Sequence, residues 1–379
     1  MWRTVKEIKI AQIGTGFMGK THSLAYRALS TFCSADVKVR LTVLADVTEQ
    51  LASTGARMFG FENWVVGWEK IFDYDIDVVD IVTPNDMHPI ITFEAARRGK
   101  HVMCEKPLAV DVPTTLEMVK AVEEAGVVNM VCFNYRQAPA VKMARKLIDE
   151  GAIGQIHHFR GQYLQDWCVN PSSPFVWRFQ AAKAGSGSLG DIGSHAIDYA
   201  RYLVGEFDEV AAVAETFVKE RPLPGGKGMH PVDVDDAVNM LIRFKNGAIG
   251  GLEASRFCYG RKNYLTFEIN GSEGSLYFDW EHCNDLLYYD ARDGQDRQGF
   301  RDIKIGPVHP QAGAFWPIAG INMAYFETAV LQASELIEAI AEGRQAVPSF
   351  RDGLQVAEVM DAALRSAASR QWVKVNQVV

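Results

Sequence analysis

Three short stretches carry residue types whose spacing could do chemistry. The first is Gly14-Thr15-Gly16-Phe17-Met18-Gly19, which follows an apolar run directly and opens a helical pattern. Glycines at this spacing permit a tight turn and close approach of a pyrophosphate, and the helix N-terminus offers free N–H groups to its oxygens. The plainer alternative is a structural glycine turn. Asp46 ends the next apolar run, where a carboxylate can accept hydrogen bonds from both hydroxyls of an adenosine ribose. It lies further from the glycines than the usual ~20 residues, an excess assigned to a loop around 31–36. Val47 and Thr48 follow it, so a 2′-phosphate finds no basic partner and NAD is favoured over NADP. The alternative role for Asp46 is a helix N-cap.

The second stretch is Glu105-Lys106-Pro107, which, like Thr83-Pro84-Asn85, follows an apolar run at the carboxyl edge where ligands of parallel sheets bind. Lys106 beside a proline sits on a stiff turn, although a lone lysine is usually a solvated surface charge. The third is residues 187–195, where Asp191 and His195 stand at i and i+4 on one face of a predicted helix. Such a pair is either a surface ion pair worth ~0.2–0.5 kcal/mol or an oriented imidazole ready for proton transfer. Glycines at 185, 187, 190 and 193 leave room for close approach, which favours a site. Tyr163-Leu164-Gln165-Asp166-Trp167 and Trp177-Arg178-Phe179 pair aromatic faces with hydrogen-bonding groups, a composition suited to a sugar. Taken singly, each tryptophan reads as core. No metal is expected. His157 and His158 point to opposite strand faces, and Asp233, Asp235 and Asp236 lack an EF-hand pattern. These three read as solvated or capping carboxylates.

The elements that must position these groups fall into two styles. Residues 8–13, 39–45, 77–82, 101–104 and 127–132 read as buried strands, with helical patterns at 17–29, 90–98 and 113–124. Alternation of this kind argues a parallel, doubly wound α/β sheet. A helix at 139–150 follows. Beyond it, 154–164, 209–218, 237–244, 248–257, 264–269 and 275–280 read as strands, several joined by turns at Asn246-Gly247 and 271–274. One helix, 190–204, interrupts them, and helices at 323–342 and 352–368 close the chain. This half predicts an α+β domain on a large, mostly antiparallel sheet, with the boundary after residue 133: 1–133 and 134–379. Residues 221–229 read as a surface loop.

Composition sets the outer limits. The 379 residues are 48% hydrophobic and 23% charged, which suits a soluble globular protein of two domains. A net charge of −8 gives no electrostatic reason to bind nucleic acid or an anionic membrane. The six cysteines form no C-x-x-C pair. No apolar run long enough to span a bilayer and no secretory leader is visible, so the expected address is the cytoplasm.

Taken together, G-x-G-x-M-G-x-x-H from Gly14 to His22, E-K-P at 105–107 and G-x-x-x-D-x-x-x-H from Gly187 to His195 resemble the Gfo/Idh/MocA oxidoreductase family over essentially the whole chain. Finer features are similar to its branch of levoglucosan (1,6-anhydroglucose) and glucoside 3-dehydrogenases. They are Phe133-Asn134-Tyr135-Arg136, the two aromatic stretches, Trp316-Pro317 and Tyr325. The resemblance implies a Rossmann domain binding NAD, then a domain for substrate and for assembly of a homodimer or homotetramer through its sheet. It implies Lys106, Asp191 and His195 as catalytic residues, with the Lys106–Pro107 bond cis. The cofactor would meet Gly14, Gly16, Phe17, Met18, Asp46, Thr83, Pro84, Asn85, His88, Glu105, Lys106, Asn134, Trp177, Arg178 and Tyr325. A sugar or cyclitol would meet Lys106, Tyr135, Tyr163, Gln165, Asp166, Arg178, Asp191 and His195. Rival readings are an inositol dehydrogenase, an NAD-dependent glycosidase on the same scaffold, and a non-enzymatic sugar or nucleotide sensor.

Overall fold

The computed structural model describes residues 6–32, 37–226 and 228–375. They form two compact units. In the first, β1 (Lys6–Ile13), β2 (Val37–Asp46), β3 (Asn63–Val66), β4 (Val78–Ile81), β5 (His101–Cys104) and β6 (Asn129–Val131) make one sheet in the order β3-β2-β1-β4-β5-β6. All its pairings are parallel. The connecting helices are α1 (Phe17–Phe32), α2 (Glu49–Phe59), α3 (His88–Arg97) and α4 (Val112–Glu124). β4 is buried at every position, as a strand covered on both faces must be. The strand order reverses between β1 and β4, and at such a switch point the loops leaving the two strands open a crevice for ligands. The glycine turn and Thr83-Pro84-Asn85 are those loops.

Two elements of this unit were not expected, α2 and β3. Helix α2 buries only Ala52, Gly55, Ala56 and Phe59, a face too small-sided to stand out, and it is fixed by Thr48, whose side chain accepts from Leu51 N at 3.2 Å. β3 is a half-exposed edge strand. The excess spacing to Asp46 lies partly in α1, which runs to Phe32; residues 33–36 of the expected loop lie outside the described residues. The boundary after residue 133 also needs amendment. The first unit takes in Asn134–Gln137 and a later segment, Tyr325–Leu354. Helix Tyr325–Glu342 returns to it and buries Ala329, Val330, Ala333 and Ile337. Asn129 Oδ1 accepts from Phe350 N at 2.8 Å, and Arg136 pairs with Asp352 at 3.1 Å.

The second unit comprises Val110–Val112, Ala138–Ala324 and the chain from Gln355. Its elements are α5 (Pro139–Asp149), β7 (Ile156–Leu164), α6 (Ala181–Ala184), α7 (Ser194–Leu203), β8 (Phe207–Glu215), β9 (Glu220–Pro222), β10 (Met229–Pro231), β11 (Ala237–Phe244), β12 (Ile249–Ser255), β13 (Tyr264–Gly271), β14 (Gly274–Asp279), β15 (Asp285–Asp290), β16 (Arg301–Lys304) and β17 (Val373–Lys374). Nine strands form a sheet in the order β16-β15-β14-β13-β7-β12-β11-β8-β17, parallel at β7–β12 and antiparallel elsewhere. One face is covered: Tyr199 of α7 sets its ring edge against Phe267 and Phe278, and Val238, Met240 and Ile242 point inward from β11. The expected surface loop at 221–229 is instead bounded by the two-stranded ladder of β9 and β10. Its first residue, Arg221, is fully buried, donating to the carbonyls of Cys168 and Asn170.

Glycine at two positions of the first turn serves different ends. A Cβ at Gly19 would stand 2.3 Å from Gly14 O, whereas one at Gly16 would meet nothing within 4 Å. Gly19→Ala should therefore destabilise the protein by about 1–3 kcal/mol, seen as a fall in melting temperature by calorimetry. Gly16→Ala should leave the melting temperature nearly unchanged.

Candidate active site

The glycine turn is built on a polar residue hidden in an apolar strand. Gln12 is fully buried; its amide donates to Gly14 O at 3.0 Å and Gly19 O at 3.1 Å, and its oxygen accepts from Ser23 Oγ at 2.8 Å. Gly14 takes φ +113°, where a Cβ would lie 2.7 Å from Val82 O. Asp46 closes on this turn. One carboxylate oxygen accepts from Thr15 N at 2.9 Å and Thr15 Oγ1 at 2.5 Å, and the other from Val47 N at 2.6 Å. The N-cap of α2 is Thr48, so the capping alternative for Asp46 falls away. Phe17 is 70% exposed and stacks on Tyr325 at 5.9 Å; Tyr325 donates to Met18 Sδ and meets Tyr135 edge-on at 5.7 Å.

Three residues expected at the cofactor turn inward instead. His88 is fully buried, with its ring nitrogens 2.9 Å from Pro107 O and 3.0 Å from Thr83 O, so it braces two strand-end loops. Asn134 is buried and donates to Thr328 Oγ1 at 3.0 Å. Glu105 is buried too: its carboxylate accepts from Lys106 N at 3.1 Å and lies 3.3 Å from His22 Nε2. The other nitrogen of His22 lies 3.0 Å from Asp80 Oδ1. Among the described residues, His22, Glu105 and Cys132 bring their donor atoms within 4.8 Å of one another. Both nitrogens of the imidazole face carboxylates, which makes this group a charge network. Burial pushes the Cys132 thiol up to about 12, so it stays protonated. The Lys106–Pro107 bond is cis, as the resemblance implies.

In the second unit, His195 opens α7 and is only 6% exposed, so a surface ion pair is excluded for it. Its ring lies 6.1 Å from that of Tyr163. Before it, Leu189–Gly193 is a π-helical turn held by Asp235, whose carboxylate accepts from Gly187 N at 2.7 Å, Ser188 Oγ at 2.6 Å and Leu189 N at 2.8 Å. The glycines here admit the protein's own backbone and side chains, contrary to expectation. A Cβ at Gly187 would lie 1.7 Å from Asp235 O, and one at Gly193 3.1 Å from Ala254 Cβ. Asp235 and Asp236 are buried caps, not solvated carboxylates; Asp236 accepts from Phe217 N and Val218 N. Asp233 caps α6 through Ala181 N at 2.6 Å.

Asp191 stands between two guanidinium groups, 3.7 Å from Arg178 Nε and 3.5 Å from Arg256 Nη1. Arg256 is fully buried, bonded to Asp235 O at 3.1 Å, and its charge lies over the rings of Trp167 and Phe179. Arg178 stacks on Trp177 at 4.4 Å. Tyr163 donates to Asn263 Oδ1 at 2.6 Å, and Gln165 donates to the same atom at 3.2 Å. Asp166 is engaged by Lys262 at 2.7 Å and Gly260 N at 3.2 Å, and that lysine bond holds its carboxyl below the usual range. Sequence reasoning missed Gln12, Asp80, Arg256 and Asn263. For the first two a signal existed, a polar residue inside an otherwise apolar strand.

The turn fits a dinucleotide. Open space surrounds Gly16, the first turn of α1 carries no carboxylate, and Asp46 ends β2 beside the turn. Residues 8–133 match the oxidoreductase family with an NAD-binding Rossmann fold, and residues 141–277 match the C-terminal domain of the Gfo/Idh/MocA family. The chain belongs to this family of NAD-binding oxidoreductases. It is 49% identical to levoglucosan dehydrogenase of Pseudarthrobacter phenanthrenivorans, over 99% of its own length and 100% of the other's. The solved complex of levoglucosan dehydrogenase with NADH and levoglucosan matches with a TM-score of 0.96 at 50% identity, covering 98% of this chain and 100% of that one. Inositol 2-dehydrogenase of Rhizobium meliloti is 28% identical over 97% and 99% of the two chains.

Arg256 Nη2 also lies 3.8 Å from buried Asp236, so removing Arg256 would take that partner from Asp236 and leave Asp191 with Arg178. Arg256→Met should cost about 3–5 kcal/mol, read from denaturant unfolding. Arg178→Met, at a half-exposed pair, should cost well under ~1 kcal/mol.

Proposed function

We propose that this chain is an NAD-dependent dehydrogenase that oxidises a ring secondary hydroxyl, at C3, of a pyranose or anhydrosugar such as levoglucosan or a glucoside. The observation that supports this most is the full-length likeness, at 50% identity, to levoglucosan dehydrogenase in complex with NADH and levoglucosan. NAD, when bound, supplies the oxidant and takes the hydride from the carbinol carbon. His195 is the general base for the hydroxyl proton. Lys106 donates a hydrogen bond to the same oxygen and stabilises the alkoxide charge that develops there. Asp191, its charge shared between two arginines, orients substrate or imidazole. Tyr163, Gln165 and Arg178 hold further hydroxyls, with Tyr135 and Asp166. The dinucleotide is held by Gly14, Gly16, Phe17, Met18 and Asp46, by Thr83, Pro84 and Asn85, and by Trp177, Arg178 and Tyr325. His88, Glu105 and Asn134 support these loops from beneath.

Two broader readings go with this one. The chain forms a homodimer or homotetramer through the open face of its second sheet, where Val213, Leu241 and Ile249 are more than half exposed. Its working compartment is the cytoplasm, in keeping with five free cysteines among the described residues and no helix there long and apolar enough to cross a membrane.

NADH formation should be faster with levoglucosan or a glucoside than with myo-inositol, in kcat/KM, and a 3-deoxy analogue should be inert. Product NMR should place the carbonyl at C3; a preference for inositol would move the chain to that branch. His195→Ala and Lys106→Ala should each lower turnover by roughly 10²–10⁴-fold while NADH affinity holds. Near-normal turnover in both would defeat the assignment. Asp46→Ala should erode a strong preference for NAD over NADP, measured as the ratio of kcat/KM values. Leu241→Arg should lower the mass found by analytical ultracentrifugation.

A further inference from the structure

The first unit buries three ionisable side chains in a row beneath Lys106. Asp80 is 0% exposed, His22 1% and Glu105 7%. They come from three different elements: β4, α1 and the residue that follows β5. Asp80 Oδ1 and Oδ2 lie 3.0 and 3.1 Å from His22 Nδ1, and His22 Nε2 lies 3.3 Å from Glu105 Oε1. Glu105 Oε2 then accepts from the backbone N–H of Lys106 at 3.1 Å.

His22 is hydrogen-bonded to Asp80 through Nδ1 and faces Glu105 within ion-pair distance through Nε2, and only the protonated ring presents a proton to each carboxylate. Burial alone would drive its pKa down. The charge of Asp80 and its hydrogen bond oppose this, and His22 is held well above its ordinary value. Burial likewise favours a protonated Glu105, but the bond and charge of His22, with Lys106, bring it below the usual carboxyl range. The other groups packed here carry no charge at neutral pH: the Cys104 and Cys132 thiols are raised by burial, and Tyr26 donates to Met103 Sδ at 3.3 Å. Apolar side chains of similar volume would fill this space without desolvating three charges, so stability does not account for the row.

Geometry supplies another account. His22 sits on the helix that starts at the glycine turn, and Glu105 directly precedes the lysine. The row therefore ties the lysine's backbone to the element that carries the dinucleotide turn, with an ion pair at each joint. We propose that Asp80, His22 and Glu105 are positioning residues for Lys106: they set its placement, and hence turnover, without touching substrate or cofactor. This rests on the catalytic reading of Lys106 given above.

A double-mutant cycle in the full-length chain tests it, with single-turnover NADH formation from NAD and levoglucosan as the readout. Glu105→Leu should slow turnover roughly 100-fold, as a misplacement near 1 Å can, while NADH affinity by fluorescence titration stays within about threefold. Glu105→Gln keeps an oxygen for Lys106 N–H and should recover turnover to within about tenfold of the parent. In a Lys106→Ala background, Glu105→Leu should add less than about twofold. A Glu105→Leu loss of equal size in both backgrounds, or no loss in either, would overturn the positioning role while leaving Lys106 catalytic. Lys106→Ala with parental turnover would instead overturn the catalytic reading, and this proposal with it. If Glu105→Leu does not fold, Asp80→Asn and Glu105→Gln complete the same cycle, with the same non-additivity expected.

Discussion

Helix α1 comes so close to the turn before it that position 19 has no room for a methyl group, and much of the first unit depends on that approach. It lets the buried amide of Gln12 hold both Gly14 O and Gly19 O, which fixes where the helix begins. The fixed turn presents Thr15 to Asp46 and leaves Phe17 exposed against Tyr325. Further along the same helix, His22 reaches Asp80 and Glu105. A looser contact at Gly19 would shift the N–H groups at the start of α1, the Asp46 carboxylate and the contact of His22 with Glu105 together.

The second unit solves a related problem with a carboxylate. Asp235 gathers two backbone N–H groups and a hydroxyl at the start of the π-helical turn, and Gly187 lets the two segments touch. Arg256 bonds the carbonyl of that aspartate and reaches Asp191 with the same guanidinium. One buried cation thereby serves both the start of the helix that carries His195 and the carboxylate proposed for the reaction. Arg256 is the member least open to change, since its loss leaves buried Asp236 without that partner.

Most of the first sheet was legible because a strand covered on both faces must be apolar throughout, and its loops carry glycine and proline at fixed offsets. What escaped was whatever lacks that pattern: α2, whose buried face is two alanines, a glycine and a single phenylalanine, and β3, which is half exposed. Site residues followed the same division. Of the residues proposed for the site or packed around it, Asp46 and the glycine turn are marked by position, whereas Arg256 and Asn263 stand out only through partners distant in sequence. The glycines around Asp191 were read as space for a ligand. Spacing alone cannot tell that space from room for the protein's own backbone. His88 and Glu105 lie in the right motifs, but only burial reveals that their side chains point inward.

The return of helix Tyr325–Glu342 to the first unit has a consequence for synthesis of the protein. The parallel sheet leaves the ribosome early, yet its own compact unit is not complete until residue 354 has emerged. At ~5–20 residues per second, translation holds the nascent sheet for many seconds without that helix. Throughout, the apolar surface that Ala329, Val330 and Ile337 will cover is open to other chains. Completion of this dinucleotide-binding unit therefore waits for residue 354, although all six of its strands precede residue 132.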